Sequence, residues 1–142
     1  MTDFFIASDD ELNLLDLRQS ATKQLPGMAD SDIDLLMLCN LESILTGADW
    51  ECVFDSMYIN PVRDHGPDGP WIYQVSNYLL EALSKLNSEA MQDCASQWAE
   101  TDEWTLKENC PLEEIMAALG KLIGLARLAC SEGKHLFIVT MP

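Results

Sequence analysis

The stretch covering residues 111–141 limits the possible folds more than any other. Leu112, Ile115, Met116, Leu119, Leu122, Ile123, Ala126 and Ala129 recur at i, i+3, i+4 and i+7, the spacing of one helical face. Leu125 and Leu128 add apolar side chains on other faces, so the second half of this helix is expected to be buried nearly all round. Pro111 suits a first helical turn, and Gly133 suits the left-handed residue that closes a helix. HLFIVTM, residues 135–141, then reads as a strand. A long amphipathic helix that returns into an apolar strand needs a sheet to receive that strand. The expected fold is therefore α+β and mainly helical, with about five or six helices and a small sheet containing the C-terminal strand.

Caps, stripes and breakers place the other elements. Phe4-Phe5-Ile6 is a short strand or an N-terminal plug. Ser8 and Glu11 form a capping box for a helix expected over residues 9–24, with Leu12, Leu14 and Leu15 inward and Pro26-Gly27 as its stop. Ser31 is expected to cap a second helix, whose stripe is Ile33, Leu36, Met37, Leu41, Ile44 and Leu45 and whose stop is Gly47. Residues 50–59 suit a strand or a helix, and a short helix is the reading taken. Residues 71–75 are expected to be extended. Ser76 caps a helix through Leu86, and Ser88 another that turns Met91, Cys94, Ala95 and Trp98 inward. A linker, ETDEWTLKEN, leads to the long helix. No internal repeat, low-complexity tract or dividing linker interrupts this series, so residues 1–142 are expected to form a single globular domain.

Charge excludes several function classes. The chain carries 24 acidic against 8 basic residues, a formal net charge of −16, while 48% of its residues are hydrophobic, as in an ordinary globular protein. Such a field repels phosphates and anionic headgroups and draws in basic partners. Direct nucleic-acid binding and membrane-surface binding are not expected. The same acidity also serves plain solubility. The opening MTDFFIASDDEL is acidic and its apolar run is too short for a signal peptide, and no apolar run approaches the roughly 20 residues of a membrane span. The five cysteines are odd in number and form no CxxC. A cytoplasmic location with reduced, mostly buried thiols follows as the expectation.

Catalytic and metal motifs are sparse. Asp64-His65 offers a carboxylate beside an imidazole, but sequence neighbours diverge in space, and no GxSxG elbow supplies a nucleophile. Asp30, Asp32 and Asp34 alternate as in a calcium loop, without its glycine and distal glutamate, and helix capping explains them. The histidines and cysteines have no zinc spacing, and no phosphate-binding glycine motif is present. No cofactor and no metal are expected. The loop NPVRDHGPDGPW is stiffened by Pro61, Pro67 and Pro70 and turned by Gly66 and Gly69, so it loses little entropy on docking. Two segments, Asp49-Trp50-Glu51 and Trp98 to Trp104, set carboxylates around indoles, a composition suited to a basic protein surface.

The ending EEIMAALGKLIGLARLACSEGKHLFIVTMP resembles that of YfbM-like small bacterial proteins, in which a long amphipathic helix passes through a glycine turn into an apolar terminal strand. The resemblance covers residues 113–142 and, more loosely, the opening DFFIASDDEL. It implies an α+β bacterial cytosolic protein of a size and acidity also seen among immunity proteins of toxin systems, and it implies no functional residue. The functional expectation is a non-enzymatic acidic protein that binds and neutralises a basic protein partner, most concretely a toxin. The rim charges are Asp49, Glu51, Asp64, Asp68, Glu100, Asp102 and Glu103, the anchors are Trp50 and Trp104, and His65 stands at the loop tip. The alternatives are a small hydrolase or transferase using His65 with a carboxylate or cysteine, an acidic nucleic-acid-mimic inhibitor, and a module whose acidity serves only solubility. A pocket joining His65 to Cys52 or to a buried carboxylate would favour the enzyme.

Overall fold

The runs DFFIA and LFIV pair with each other. β1 (Thr2–Ala7) and β5 (His135–Thr140) lie antiparallel in unbroken register from Thr2↔Thr140 to Ala7↔His135. Strand alternation sends Phe4, Ile6, Leu136 and Ile138 to one face and Phe5, Ala7, Phe137 and Val139 to the other. Both faces are covered, which is why the two runs are continuously apolar rather than alternating. β2 (Gly27–Ser31) pairs outside β1, and β4 (Trp71–Gln74) and β3 (Arg63–Asp64) lie beyond β5, giving one antiparallel sheet in the order β2-β1-β5-β4-β3. The computed structural model describes residues 2–57, 60–107 and 110–141, with Ser56 and Met57 described by their backbone alone.

A thick helical layer covers the Phe4 face. It comprises α2 (Leu35–Thr46), α3 (Trp50–Met57), α4 (Asn77–Ser84), α5 (Ser88–Ala99), the short α6 (Asp102–Thr105) and the long α7 (Leu112–Glu132). With α1 (Asp9–Leu14) on the other face, the described residues contain seven helices, and the mainly helical α+β fold with the C-terminal strand in a small sheet is realised. Trp98 is the largest fully buried side chain. Its Nε1–H donates to the Met37 carbonyl at 2.9 Å, and its ring meets Trp104 edge-on at 5.1 Å, which ties α5 and α6 to α2. Several local signals act as expected. Gly47 and Gly133 close α2 and α7 at φ 75° and 66°, Ser8 and Glu11 form the capping box, and the Ser76 hydroxyl caps α4. Residues 50–57 are helical, while Tyr58 and Ile59 at the end of that segment lie outside the described residues, as do Glu108 and Asn109 of the ETDEWTLKEN linker.

Three expectations are corrected. The first helix ends at Leu14 rather than near Gln24. Leu15 turns extended, and the Arg63 guanidinium reaches across from β3, where Nη1 donates to the carbonyls of Leu12 at 2.6 Å and Leu15 at 2.8 Å. A distant cation thus takes carbonyls that a longer helix would have bonded internally. The chain continues as a thin strap, with a 3-10 turn at Ala21–Lys23, that lays Leu12, Leu15 and Ala21 on the Phe5 face, and Leu14 is left 85% exposed. Second, Ser31 ends β2, and Asp34 caps α2 by accepting from the Met37 N–H at 2.9 Å. β2 approaches so closely that a Cβ on Gly27 would sit 1.9 Å from the Phe4 carbonyl oxygen, so only glycine fits there. Third, Asn87, not Ser88, caps α5.

Arg63→Met keeps the aliphatic stem and removes the donors to the carbonyls of Leu12 at the end of α1 and Leu15 at the start of the strap. It is expected to lower stability by about 2 kcal/mol in denaturant unfolding. Arg18→Met, which removes a solvent-exposed partner of Asp16, should leave the midpoint unchanged. Equal effects of the two would show that Arg63 does not hold the strap.

Candidate functional site

Folding brings the two acidic-aromatic segments to one cleft. Asn40, Ser43 and Ile44 of α2 form one side, Trp50 of α3 another, and Thr101, Asp102 and Glu103 at the α5–α6 joint the third, of a shallow, open depression of about 430 Å³. Trp50 is half-buried and stacks on Phe54 with ring centroids 5.5 Å apart and planes at 9°. Glu103 accepts from the Asn40 amide at 2.6 Å, so its carboxylate is held in place, whereas Asp102 is exposed. The Ser43 hydroxyl is buried without a hydrogen-bond partner. Asp49 and Glu51 flank Trp50 in the chain and Glu100 precedes Thr101, and all three are exposed. The cleft offers an aromatic surface, fixed and free carboxylates and an uncommitted hydroxyl.

Four expected residues lie elsewhere. Trp104 is 4% exposed and packs against Trp98 in the core, so it cannot serve as a surface anchor. Asp64, His65 and Asp68 belong to the NPVRDHGPDGPW loop, which is the β3–β4 hairpin. Arg63 and Asp64 pair with Ile72 and Trp71, the His65 N–H donates to the Pro70 carbonyl at 3.1 Å, and Gly66 and Gly69 take positive φ. The Asp64 carboxylate accepts from the Gly66 N–H at 3.1 Å, so it shapes the turn and does not orient the imidazole. His65 is exposed and lines none of the clefts described here, and neither does Cys52. The loop's clearest task is mechanical, because its Arg63 pins the strap.

A carboxyl that the sequence reading passed over is the most unusual ionisable group. Glu42 is 4% exposed, on the inner side of α2, and its Oε1 has no hydrogen-bond partner. Burial pushes its carboxyl up from the ordinary value, opposed by the Ser76 hydroxyl. It lines a second cleft of about 470 Å³ with Asn60, Val62, Gln74, Val75, Ser76, Asn77 and Tyr78. A sequence signal existed, since Glu42 follows Leu38 by four residues and so falls on the buried stripe of α2.

Cys39, Cys52 and Cys94 are poor nucleophiles. Burial pushes Cys39 up to about 12, helped by Glu42, Asp34 and Glu103, and pushes Cys94 up to about 11. Cys52 is raised by its hydrogen bond to Asp49 and by the surrounding carboxylates. Among the described residues no cluster of three or more His, Cys, Asp or Glu is placed to hold a metal ion, and no helix is long and apolar enough to cross a membrane. No family model matches the chain, and neither a curated protein nor a solved structure is significantly similar to it. A functional reading therefore rests on the geometry of this chain.

Glu42 makes stability depend on pH with a defined sign. Its folded-state value lies above the ordinary 4.5, so the folded protein holds this proton more tightly than the unfolded chain does. The stability it contributes is complete below 4.5 and is lost as pH rises through the raised folded value. Glu42→Gln, which cannot ionise, should therefore unfold at higher denaturant concentration than the wild type at neutral pH. The difference in midpoint should close as pH falls towards 4.5. A difference that does not vary with pH would refute this account.

Proposed function

We propose that this protein binds a basic protein through the acidic face around Trp50, Asp102 and Glu103. Most concretely, it acts as a bacterial immunity protein in the cytoplasm, covering the active site of a cognate toxin. The observation that carries the reading is the convergence of two segments, some fifty residues apart in the chain, on one cleft that combines an indole with carboxylates. A net charge of −16 steers a basic partner towards it, and the indole supplies desolvated contact area once charge has aligned the two surfaces. The stack on Phe54 and the bond from Asn40 hold Trp50 and Glu103 before binding, which lowers the entropy lost on association. The YfbM-like resemblance of the ending supports the bacterial setting. His65 lines neither cleft, so no observation of this structure favours the hydrolase or transferase reading.

The test is capture from a lysate of the source bacterium on immobilised protein, at low and at high salt. One basic protein should be retained at high salt, because an anchored, desolvated contact outlasts screening. Trp50→Ala and Asp102→Lys should each weaken its binding by about thirtyfold or more, the loss typical of an interface hot spot. Asp68→Lys on the hairpin should leave binding intact. Capture that is lost at high salt, or lost with Asp68→Lys and kept with Asp102→Lys, would remove the basis for this reading.

A further inference from the structure

The Glu42 cleft lies apart from the acidic face just described. α2 presents Asn40, Ser43 and Ile44 to one cleft and Glu42 to the other. The second cleft forms where β4 runs into α4, at residues 74–78, with Asn60 and Val62 opposite. Glu42, the one acidic group among the described residues that line it, is 4% exposed and carries a carboxyl oxygen without a partner. Buried polar atoms are nearly always paired, so an unpaired carboxyl oxygen lining a 470 Å³ cleft points to a missing partner.

The lining restricts what that partner can be. Among the described residues of the cleft none is basic. Its polar side chains are the carboxyl, the carboxamides of Asn60 and Asn77, and the hydroxyls of Ser76 and Tyr78, while the Gln74 carboxamide is turned to His135 at 3.4 Å and the Ser76 oxygen already accepts from the Tyr78 and Leu79 N–H groups. An anion would meet Glu42 with no countercharge. A divalent metal ion would find a single carboxylate where such ions gather several oxygen ligands. A water molecule would fill a small part of the volume. A group that only donates hydrogen bonds and carries positive charge matches both the open acceptor and the acceptor-rich wall.

We infer that the Glu42 cleft binds an organic cation, an alkylammonium or guanidinium head group, with Glu42 as its counter-ion. The carboxamide oxygens of Asn60 and Asn77 complete the acceptor set, and Val62 and Tyr78 take the alkyl part. Tyr78 is 77% exposed at the mouth and offers a ring face to the cation. The excess of negative charge raises the local concentration of any cation near the opening.

The experiment is a titration of the folded protein with butylammonium, with ethylguanidinium and with neutral butyramide, in amine-free buffer, followed by NMR of the backbone amides. Both cations should give saturable shifts centred on residues 74–78, and butyramide should give none. Glu42→Gln should weaken cation binding by at least about tenfold. Should that variant unfold, Asn77→Lys puts a competing charge at an exposed position of the mouth and should abolish the shifts. Glu42→Gln changes net charge by one unit, so diffuse attraction of cations to an acidic surface survives it. Equal shifts in the wild type and Glu42→Gln, shifts that never saturate, or saturation by butyramide would each overturn the inference. A blocked arginine amide separates two sources of the same chemistry. If it binds at residues 74–78, a partner's side chain can supply the head group. If only the small cations bind there, a free amine supplies it, and the inference stands in either case.

Discussion

Everything in this fold hangs on the pairing of β1 with β5. The two strands meet over six residue pairs, every residue of β1 is buried, and each face of the pair nucleates its own core. A slip of one residue would turn Phe4 and Ile6 towards the thin strap and Phe5 and Ala7 towards the helices, which would mismatch both layers at once. The pairing also sets the position of the clefts. α7 enters β5 through Gly133, β4 rides on β5, and the end of β4 carries the α4 cap that walls the Glu42 cleft. A ladder between strands so far apart in sequence closes a long loop, so these surfaces form only when the fold is nearly complete.

The second dependency is α2. Successive helical residues turn by about 100°, so Glu42 stands roughly opposite Asn40 and Ile44 and about a quarter turn from Ser43 on the helix. One element therefore faces two clefts of different character. Asp34 fixes its start, Gly47 its end, and the Trp98 indole grips the Met37 carbonyl from the side. The burial of Met37, Leu38, Cys39 and Leu41 holds the helix in the core. The buried Glu42 is the cost of this placement, since its charged form has lost water without gaining a cation. A helix with such a residue at its centre is less stable than one with leucine there, unless an outside group completes the pair.

What could be read from the chain alone were the elements whose causes are local. The α7 stripe, the stops at Gly47 and Gly133 and the caps at Ser8 and Ser76 each depend on residues within a few positions of one another. The misreadings have distant causes. α1 stops at Leu14 because Arg63, nearly fifty residues on, takes its carbonyls, and Leu14 is turned out although its type suggests burial. β2 is short and polar, and it is a strand through its pairing with the distant β1, where Gly27 packs against the Phe4 carbonyl. The site shows the same division. Trp50, Asp102 and Glu103 were visible as an unusual composition, but their convergence on Asn40 and Ser43 belongs to the packing of α2 against α3 and α6. Trp104 looked identical to Trp50 in sequence and was taken into the core by Trp98.

The acidity has a structural side that bears on function. The chain has three arginines, and two of them serve helix ends rather than carboxylates. Arg63 holds the carbonyls that end α1, and Arg127 donates to the Ser84 and Leu86 carbonyls where α4 ends. Cations are scarce: these two arginines go to backbone acceptors, and Arg18, Lys85 and Lys134 pair with Asp16, Glu81 and Glu11. The carboxylates of Asp49, Glu51, Glu100 and Asp102 are consequently left on the surface without basic neighbours supplied by the helices that carry them. Like charges packed this way repel one another and work against the compact state. A basic surface that docks there gains twice, once through its own contacts and once by relieving repulsion already present in the free protein. The same accounting applies to Glu42 on a smaller scale, where one outside cation would supply the charge that the chain's own arginines and lysines do not.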